Sequence, residues 1–541
     1  MKYIRSFDSD SQAREVLKSP SRDYSHKPLL YRVGESSHIS YDDPRKHENS
    51  FYVKVRILED QGLGAFDPTF KFSVVPEVDR EFTCTVDWGD GTVETLTAKK
   101  DKYNRYSLSH TYPSAGEYEM EMYDCSVRYD LKGDPELPDK SFQSMFYEWY
   151  KDIGSGYKSK VLDVFIPSFV ESIGKCTFED LNDSGGDDYS NTESQFLIPY
   201  GVKEIDDYVW EGCKGLRELN LPESIRSIAS FVVKFCPNLK EFIIPDSCET
   251  IAGVVVIGCT KLKRIHIGKS LKSIGWIYFT KSVEEITCNP DNQYFMVRDG
   301  LLYDKSGSSL IAIPPSLRRD IVIPEGVTTL GSNFGCHGYP TDVRGADGVE
   351  GASVTQEQID QFSNNYHSLS LPSTFISLNT EATGGYTFHS MAELESISVH
   401  PDNPNFTSRD GLLYTKSMDT LVGYPTGKRR YNPGIEVIPE GVKTIAPTVF
   451  ADTYWLESIS FPSTLESIGK WAFEFYGFVE GTDYIPRLNT IYSYAMTAPT
   501  LGEEAFVSIP ANGTLHIKAG ATGYNAWLNA GLTGWTIVED L

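Results

Sequence analysis

The sequence predicts a mainly β protein whose larger part is a solenoid, a stack of short coils that share one core. The first observation is a 23-residue period, shown by Leu216, Leu239 and Leu262. The second is a composition of 13% aromatic residues with 44 Gly and 29 Pro, which favours strands and turns. Further columns keep the same step: Pro199, Pro222 and Pro245; Ile205, Ile228, Ile251 and Ile274; Trp210, Val233, Val256 and Phe279.

Each repeat contains a short strand, a turn marked by proline and a second apolar pair. One coil cannot bury its apolar residues alone, whereas stacked coils form a continuous core. The pattern L-xx-I-x-I-P-xx-V-xx-I, followed by Phe, resembles the BspA-like leucine-rich repeats of Bacteroidetes, and the clearest late copy begins at Leu456. The resemblance covers roughly residues 161–505. It implies a leucine-rich-repeat solenoid that binds partners.

A duplicated segment interrupts this array. Asp299-Gly300 and Asp410-Gly411 stand 111 residues apart, and each precedes Leu-Leu-Tyr. An Asp-Gly pair between apolar runs predicts a β-hairpin, so we expect two hairpin islands between coils. Two further stretches rich in Gly, Asp, Ser and Asn predict surface loops, which are either binding sites or spacers. The predicted insertions are residues 181–195, 289–320, 336–368 and 400–431.

A separate β domain is predicted before the repeats. The segments VDWGDGT and SHTYPSAGEYEM resemble a PKD-type, immunoglobulin-like β-sandwich with Trp88 and Tyr112 in its core. Asp87 and Asp90 flank a glycine turn, which leaves two alternatives open: a cation site, with calcium the fitting ion, or solvated turn-forming residues. No other cofactor is predicted.

The two ends complete the predicted organisation. The opening MKYIRSFDSDS and the later YDDP resemble N-terminal segments of virion and tail-associated proteins of Bacteroidetes phages, which implies an attachment role. The C-terminal stretch resembles the terminal cap of BspA-like arrays, with Trp527 and Trp535 in its core. The predicted domains are an attachment segment at 1–50, a PKD-like β-sandwich at 51–135, a linker at 136–160, the solenoid at 161–505 and a cap at 506–541.

Charge and motifs exclude several classes of function. Fifty Lys and Arg against 75 Asp and Glu give a net charge of −25, which argues against non-specific nucleic-acid binding. The longest apolar stretch, residues 251–259, is far short of the ~20 residues of a membrane-spanning helix. None of HExxH, GxxxxGK[ST], GxSxG and CxxC occurs, so we predict no enzymatic activity. Cys213, Cys236 and Cys259 share one column and are predicted to pack as free thiols.

A binding function remains. The candidate binding residues are Tyr294, Phe295 and Tyr424 in or beside the islands, because aromatic rings suit sugars and protein partners. Tyr303 and Tyr414 occupy equivalent places in both islands and are predicted to be scaffold.

The predicted function is non-enzymatic recognition or adhesion. No secretion signal is visible at the N-terminus, which together with the N-terminal resemblance favours a virion component. This would be a phage fibre or receptor-binding protein that contacts a host surface protein or glycan and joins other virion or structural proteins through residues 1–50. The alternative is a Bacteroidetes cell-surface lipoprotein adhesin, on the bacterial outer surface, whose signal peptide is missing. Homo-oligomerisation stays open.

Overall fold

The structure, a computed structural model, forms two units that are described separately. The first comprises Met1–Trp276 with Ile286–Tyr294, and the second comprises Ile277–Glu285 with Phe295–Leu541. The residues that the structure describes are 46–47, 50–57, 69–76, 81–98, 106–131, 160–178, 195–256, 258–316, 320–331, 334, 366–378, 388, 391, 393–475 and 485–541. The predicted attachment segment therefore lies outside them except for residues 46, 47 and 50, and so do most of the predicted linker and of the two loop insertions.

The first unit begins with two small sheets that face each other. Its strands are β1 (Phe51–Ile57), β2 (Thr69–Pro76), β3 (Phe82–Asp87), β4 (Val93–Ala98), β5 (Tyr106–Thr111), β6 (Gly116–Tyr123) and β7 (Tyr129–Asp130). One sheet has the order β1-β6-β3-β4 and the other β5-β2-β7. Alternate residues point inward, and the rings of Phe51 and Phe72 meet across the two sheets with centroids 6.0 Å apart. Trp88 and Tyr112 are buried, at 0% and 1% exposure.

This β domain is joined to the repeats through a shared sheet. Strand β8 (Lys160–Phe165) pairs antiparallel with β1 and parallel with β10 (Gln195–Leu197), which belongs to the array. A second link is the parallel bridge between Leu131 and Ile173. The β domain and the first coils are therefore one hydrogen-bonded body.

The coils of the first unit stack as two parallel sheets. One contains β9 (Ser172–Ile173), β11 (Glu204–Ile205), β12 (Ser227–Ile228), β14 (Thr250–Val255) and β16 (Ser273–Tyr278); the other contains β13 (Glu241–Ile243), β15 (Arg264–Ile267) and β17 (Glu285–Cys288). Ile205, Ile228 and Ile251 lie directly opposite one another and are each 2% exposed. The 23-residue period is thus the period of the coil.

The second unit repeats this plan around two hairpins. Its strands are β18 (Phe295–Arg298), β19 (Leu301–Asp304), β20 (Ser309–Ala312), β21 (Asp320–Val322), β22 (Thr329–Leu330), β23 (Ser368–Leu371), β24 (Ser377–Leu378), β25 (Ser396–Val399), β26 (Phe406–Arg409), β27 (Leu412–Thr415), β28 (Thr420–Gly423), β29 (Ile435–Val437), β30 (Thr444–Ile445), β31 (Ser458–Phe461), β32 (Ser467–Ile468), β33 (Thr490–Ser493), β34 (Thr500–Leu501), β35 (Thr514–Ile517) and β36 (Thr536–Glu539). Its sheets have the orders β18-β19-β20-β22-β24, β21-β23-β25, β26-β27-β28-β30-β32-β34 and β29-β31-β33-β35-β36. Asp-Gly turns join β18 to β19 and β26 to β27, with φ of 53° at both Asp299 and Asp410.

The end of the chain covers the last coil. A five-residue helix, α1 (Asn525–Asn529), precedes β36, which pairs parallel with β35. Trp527 and Trp535 are 1% and 5% exposed and belong to the same core cluster as the coils before them. Within the described ranges, no helix has the length and apolar character needed to cross a membrane.

Candidate functional site

The structure places Asp87 and Asp90 in the turn between β3 and β4. Asp87 accepts the Gly89 N–H at 3.0 Å and pairs with the Lys46 ammonium at 2.9 Å. Burial alone would raise the pKa of Asp87, but these hydrogen bonds outweigh it and leave the pKa below its usual value. The carboxylate is therefore engaged in holding the turn.

Asp90 is engaged in the same way. Its oxygens accept the Thr92 N–H at 2.9 Å and contact His110 Nε2 at 2.8 Å, while the His110 ring stacks on Trp88. Burial raises the pKa of Asp90, and the hydrogen bonds from His110 and Thr92 more than reverse this. Among the described residues, no three His, Cys, Asp or Glu side chains gather as a metal-binding set. Calcium at this turn remains a prediction.

The three aromatic residues that the sequence nominates for binding lie in different environments. Tyr294 is 47% exposed, whereas Phe295 and Tyr424 are 8% and 1% exposed. The Tyr424 hydroxyl donates to buried Glu436 at 3.1 Å. Burial also raises the pKa of the Tyr424 phenol well above its usual value. Phe295 and Tyr424 thus belong to the interior and offer no ring face to a ligand, and Tyr294 alone is on the surface.

A buried asparagine anchors the chain where each island begins. Asn403 is 0% exposed, and its Nδ2 donates to the carbonyls of Pro372 and Phe375, both at 2.9 Å. Its Oδ1 accepts the N–H groups of Asn405 and Phe406 at 2.9 and 2.8 Å. Asn292, 111 residues earlier, is also fully buried and donates to two carbonyls of the preceding coil.

The cysteine column of the first unit consists of free thiols. Cys213, Cys236 and Cys259 donate to the carbonyls of Phe178, Trp210 and Val233, each at 2.9 Å. Each thiol thereby satisfies a buried carbonyl of an earlier segment of the stack. These residues hold the coils together and form no reactive site.

The surface that stands out is the solvent side of the sheet β29-β31-β33-β35-β36. Register places its outward residues in two rows, which we call the neutral face: Ile435, Ser458, Thr490, Thr514 and Thr536; Val437, Ser460, Tyr492, His516 and Val538. None of these ten residues is Asp, Glu, Lys or Arg, although 23% of the chain is charged. Apolar and hydroxyl groups therefore dominate this face.

Large side chains on the neutral face remain open to solvent. Ile435 and Val437 are 47% and 61% exposed, and just beyond β33 Tyr494 and Met496 are 36% and 53% exposed. An exposed group of large apolar residues is informative because most such residues are buried on folding.

The second row places an aromatic ring beside small and apolar residues. The Tyr492 ring stacks on His516 with centroids 4.6 Å apart, and His516 Nδ1 contacts Asp540 at 2.9 Å. On the other side of Tyr492 lies the small residue Ser460, and Val437 follows on the next strand. The two flanking strands are two sheet spacings apart, ~9.6 Å. Val437, Ser460 and Tyr492 thus lie side by side on three neighbouring strands and give this row an apolar, a hydroxyl and an aromatic group in succession.

The equivalent strands elsewhere have a different surface. In the first unit, Glu241 and Arg264 form an ion pair at 2.9 Å across β13 and β15. In the second unit, the Ser368 hydroxyl donates to Asp320 at 2.6 Å across β21 and β23. The second row of that sheet, Val322, Ser370 and Ser398, is uncharged as well, so the neutral face is distinguished by ten uncharged positions that run over five strands. The sequence contains a signal for this face, because the outward positions of four segments are uncharged: GIEVIP, SISFP, TIYSY and TLHI. This signal becomes visible only once the strands are aligned.

A second concave feature lies in the first unit. A groove of about 560 Å³ runs along β9, β11, β12, β14 and β16, and its lining includes Ser227, Thr250, Ser273, Ala229 and Ala252. Its polar lining consists of hydroxyls with Glu204 and Asp206 at one end. Its isoleucines Ile205, Ile228 and Ile251 are buried, and Ile274 is half-buried.

Comparison with known proteins finds similarity to leucine-rich repeats. The BspA type leucine rich repeat region matches residues 188–296 and 435–509, in six copies. No curated protein matches the chain. Among solved structures, a leucine rich cell surface protein from Faecalibacterium prausnitzii is 19% identical with a TM-score of 0.35, covering 61% of this chain and 78% of that chain.

Two further solved structures are similar at the same level. A leucine-rich repeat protein from Bacteroides ovatus is 17% identical with a TM-score of 0.31, covering 86% of this chain and 99% of that chain. The pneumococcal vaccine antigen PcpA is 16% identical with a TM-score of 0.26, covering 72% of this chain and 95% of that chain. Residues 188–296 and 435–509 thus match the BspA-type leucine-rich repeat, and coils of the first unit stack with the 23-residue period.

Proposed function

We propose that this chain is a non-enzymatic recognition protein that acts at a bacterial outer surface and binds a protein or glycan through the neutral face. The observation that carries the proposal is the exposure of four large side chains on or beside two rows of five uncharged residues each: Ile435, Val437, Tyr494 and Met496. In a chain with a net charge of −25, an uncharged exposed face stands apart from its surroundings.

The chemistry of the face suits recognition rather than catalysis. Aromatic and apolar residues contribute most to the binding energy of interfaces, and hydroxyl groups around them provide directional hydrogen bonds. Tyr492 is held by its stack on His516, so its ring is already ordered before a partner arrives. Preorganisation of this kind lowers the entropic cost of binding.

The β domain then serves as a spacer. We propose that the two facing sheets of residues 51–131 form the PKD-type sandwich indicated by WGDG and HTY…GEY. Because β8 pairs with both β1 and β10, a spacer built this way would orient the array rigidly rather than on a flexible tether.

The proposal is tested with the full chain and paired variants. Val437→Asp places a carboxylate on the neutral face, and Tyr492→Ala removes its aromatic ring. Val322→Asp is the matched control, because Val322 is 64% exposed at the equivalent strand position outside the neutral face. The probes are an array of immobilised neutral and charged glycans and intact bacterial cells.

We expect V437D and Y492A to weaken binding about tenfold or more, since loss of an interface anchor costs ~1.5–2 kcal/mol. V322D should bind as the parent protein does, and all variants should keep the parent melting temperature. Equal binding by the parent, V437D and Y492A would remove the neutral face from the proposal. Hydrolysis of any glycan on the array would overturn the non-enzymatic function.

The placement on a phage-like particle is a second candidate, and it rests on the resemblance of residues 1–50. A gene lying among tail or capsid genes supports the virion placement, whereas outer-membrane transporter genes beside it support the cell surface. Binding through the neutral face is common to both placements.

A further inference from the structure

We propose that Cys84 and Cys125 form a redox-sensitive modification site, at which a disulfide fixes the β domain beside its joint with the repeat array. Cys84 lies in β3 and is fully buried, and Cys125 follows the end of β6 and is partly exposed. The proposal is independent of the neutral face.

Strand register brings these two residues together. β3 and β6 are antiparallel, with Thr85 opposite Tyr123, and regular pairing would place Asp124 opposite Cys84. The Ser126 N–H instead donates to the Thr83 carbonyl at 2.7 Å, and Asp124 has a φ of +50°. One residue is therefore extra on the β6 side, which is the geometry of a β-bulge.

The bulge changes which side chain faces Cys84. Because Asp124 is the extra residue, Cys125 takes the place opposite Cys84, and the Cys84 thiol lies close enough to raise the pKa of Cys125. Directly opposite residues of antiparallel strands have Cα atoms ~4.5–5.5 Å apart, within the ~4.4–6.8 Å range of disulfides. A bond between the two sulfurs therefore requires little backbone movement.

Access distinguishes this pair from the cysteine column of the array. Cys213, Cys236 and Cys259 are at most 1% exposed, and each thiol is occupied by a carbonyl at 2.9 Å. Cys125 is partly exposed, and its thiol makes a long contact of 3.8 Å to the Tyr123 carbonyl. An oxidant reaches Cys125 first, and Cys84 stands behind it as the resolving thiol.

The chemistry is thiol–disulfide exchange with a low-molecular-weight disulfide such as oxidised glutathione. The Cys125 thiolate attacks one sulfur of the oxidant, forms a mixed disulfide and releases one small thiol. Cys84 loses its proton, attacks Cys125 Sγ and releases the second small thiol. The protein loses two protons and two electrons in total, and the oxidant gains both. Contact with Cys84 and burial raise the pKa of Cys125, so little of its thiolate is present at neutral pH. The exchange is therefore slow and needs an ample supply of the oxidant.

The position of the proposed disulfide determines which segment of the chain it restrains. Just after Cys125 the chain crosses from one sheet of the β domain to the other, where β7 pairs with β2. Leu131 then bridges to Ile173 of the first coil, and its carbonyl accepts the Gly174 N–H at 2.8 Å. A disulfide here closes a loop of roughly 40 residues and holds the crossing segment in place.

Trypsin separates the two cysteines, which makes the test direct. Cys84 lies in the peptide Glu81–Lys99 and Cys125 in Tyr106–Arg128, and each peptide holds one cysteine. The full chain is incubated with reduced or oxidised glutathione, its remaining thiols are alkylated under denaturing conditions, and the digest is read by mass spectrometry. We expect two fewer alkylated thiols after oxidation and a linked peptide pair that disappears on reduction.

Variants separate a specific bond from general oxidation. Cys125→Ser should abolish the linked pair, should leave Cys84 unmodified, and should remove any difference in protease resistance of residues 81–128 between the two treatments. Full alkylation of both thiols after oxidation would overturn the proposal. So would linkage of either cysteine to a different partner, or protease resistance that changes equally in the parent and C125S.

Discussion

Replacement of Asn403 by alanine tests how the second hairpin island is attached to the array. The side chain is fully buried and makes four hydrogen bonds: it donates to Pro372 and Phe375 and accepts from Asn405 and Phe406. Alanine removes all four bonds and leaves the backbone otherwise intact.

The expected loss of stability depends on which hydrogen-bond partners of Asn403 can reach water. The carbonyls of Pro372 and Phe375 belong to buried residues, whereas Asn405 is exposed and Phe406 is half-buried. In N403A the Pro372 carbonyl keeps the Phe375 N–H at 3.3 Å and the Phe375 carbonyl keeps Asn405 Nδ2 at 3.5 Å. Each carbonyl thus loses its shorter bond at a cost of ~1–1.5 kcal/mol, and the two amides near the surface add ~0.5 kcal/mol each at most. We therefore expect Asn403→Ala to destabilise the island by about 3 kcal/mol. Asn403→Asp should be as damaging, because it keeps the oxygen that accepts the Asn405 and Phe406 N–H groups but loses both N–H donors and buries a charge.

The assay must report on the island, because repeat arrays open locally and do not unfold in one step. Hydrogen exchange of the amides of β26 and β27 measures the free energy of local opening. In N403A their protection should fall on the order of 100-fold or more, since 1.4 kcal/mol is a factor of ten. Asn405→Ala is the matched control, because that exposed side chain makes a single 3.5 Å bond to Phe375. Protection within twofold of the parent in N403A, or equal losses in N403A and N405A, would refute the anchoring role.

Two further predictions concern the stack of coils. Gly275→Ala would place a Cβ 1.7 Å from the Ala252 carbonyl oxygen, so it should lower the free energy of unfolding by about 3 kcal/mol, measured by heat or urea. Gly326→Ala has open space for its Cβ but a φ of +95°, so it should lower the free energy of unfolding by about 1 kcal/mol. Glu223 and Glu440 occupy equivalent turns with opposite pKa shifts: burial raises the pKa of Glu223, and a backbone N–H of the next coil lowers the pKa of Glu440. A raised carboxyl pKa makes the folded state less stable as pH rises through the shifted range, and a lowered pKa makes it less stable as pH falls. Relative to the parent, E223Q should therefore gain stability as pH rises above about 4.3, the usual pKa of a glutamate. E440Q should lose stability relative to the parent as pH rises toward about 4.3, with no further change above it. Equal pH slopes for the two variants would contradict the assigned causes.

The parts of the fold that could be predicted from the sequence are those that repeat along it. A buried column such as Ile205, Ile228 and Ile251 must hold one residue type in every coil, so its period is visible in the sequence and is confirmed in the strands. An Asp-Gly pair signals a tight turn because both residues adopt positive φ, and Asp410-Gly411 does so.

Contacts that occur only once, between residues far apart in the sequence, could not be predicted. The pairing of β8 with β1 joins segments about 100 residues apart and has no periodic signature. Tyr424 looked like a surface ring, but its hydroxyl finds Glu436, and that partner allows the whole side chain to be buried. The neutral face was missed because outward positions differ from coil to coil, so only strand register brings Val437 and Tyr492 into one surface.

The acidic residues of the array show why the neutral face is unusual. Glu223, directly after the proline of its turn, accepts the N–H groups of Asp246 and Ser247 at 3.2 and 3.0 Å, and Glu440 accepts that of Ser463 at 2.9 Å. Part of the negative charge therefore couples each coil to the next, and the remainder keeps a long β array soluble. Charged side chains are also tolerated on the strand faces themselves, as the Glu241–Arg264 pair shows. An uncharged, partly apolar face at the end of such an array lowers solubility and gains nothing for the core. A partner that covers it would offset that loss, and this makes the neutral face the place to look for one.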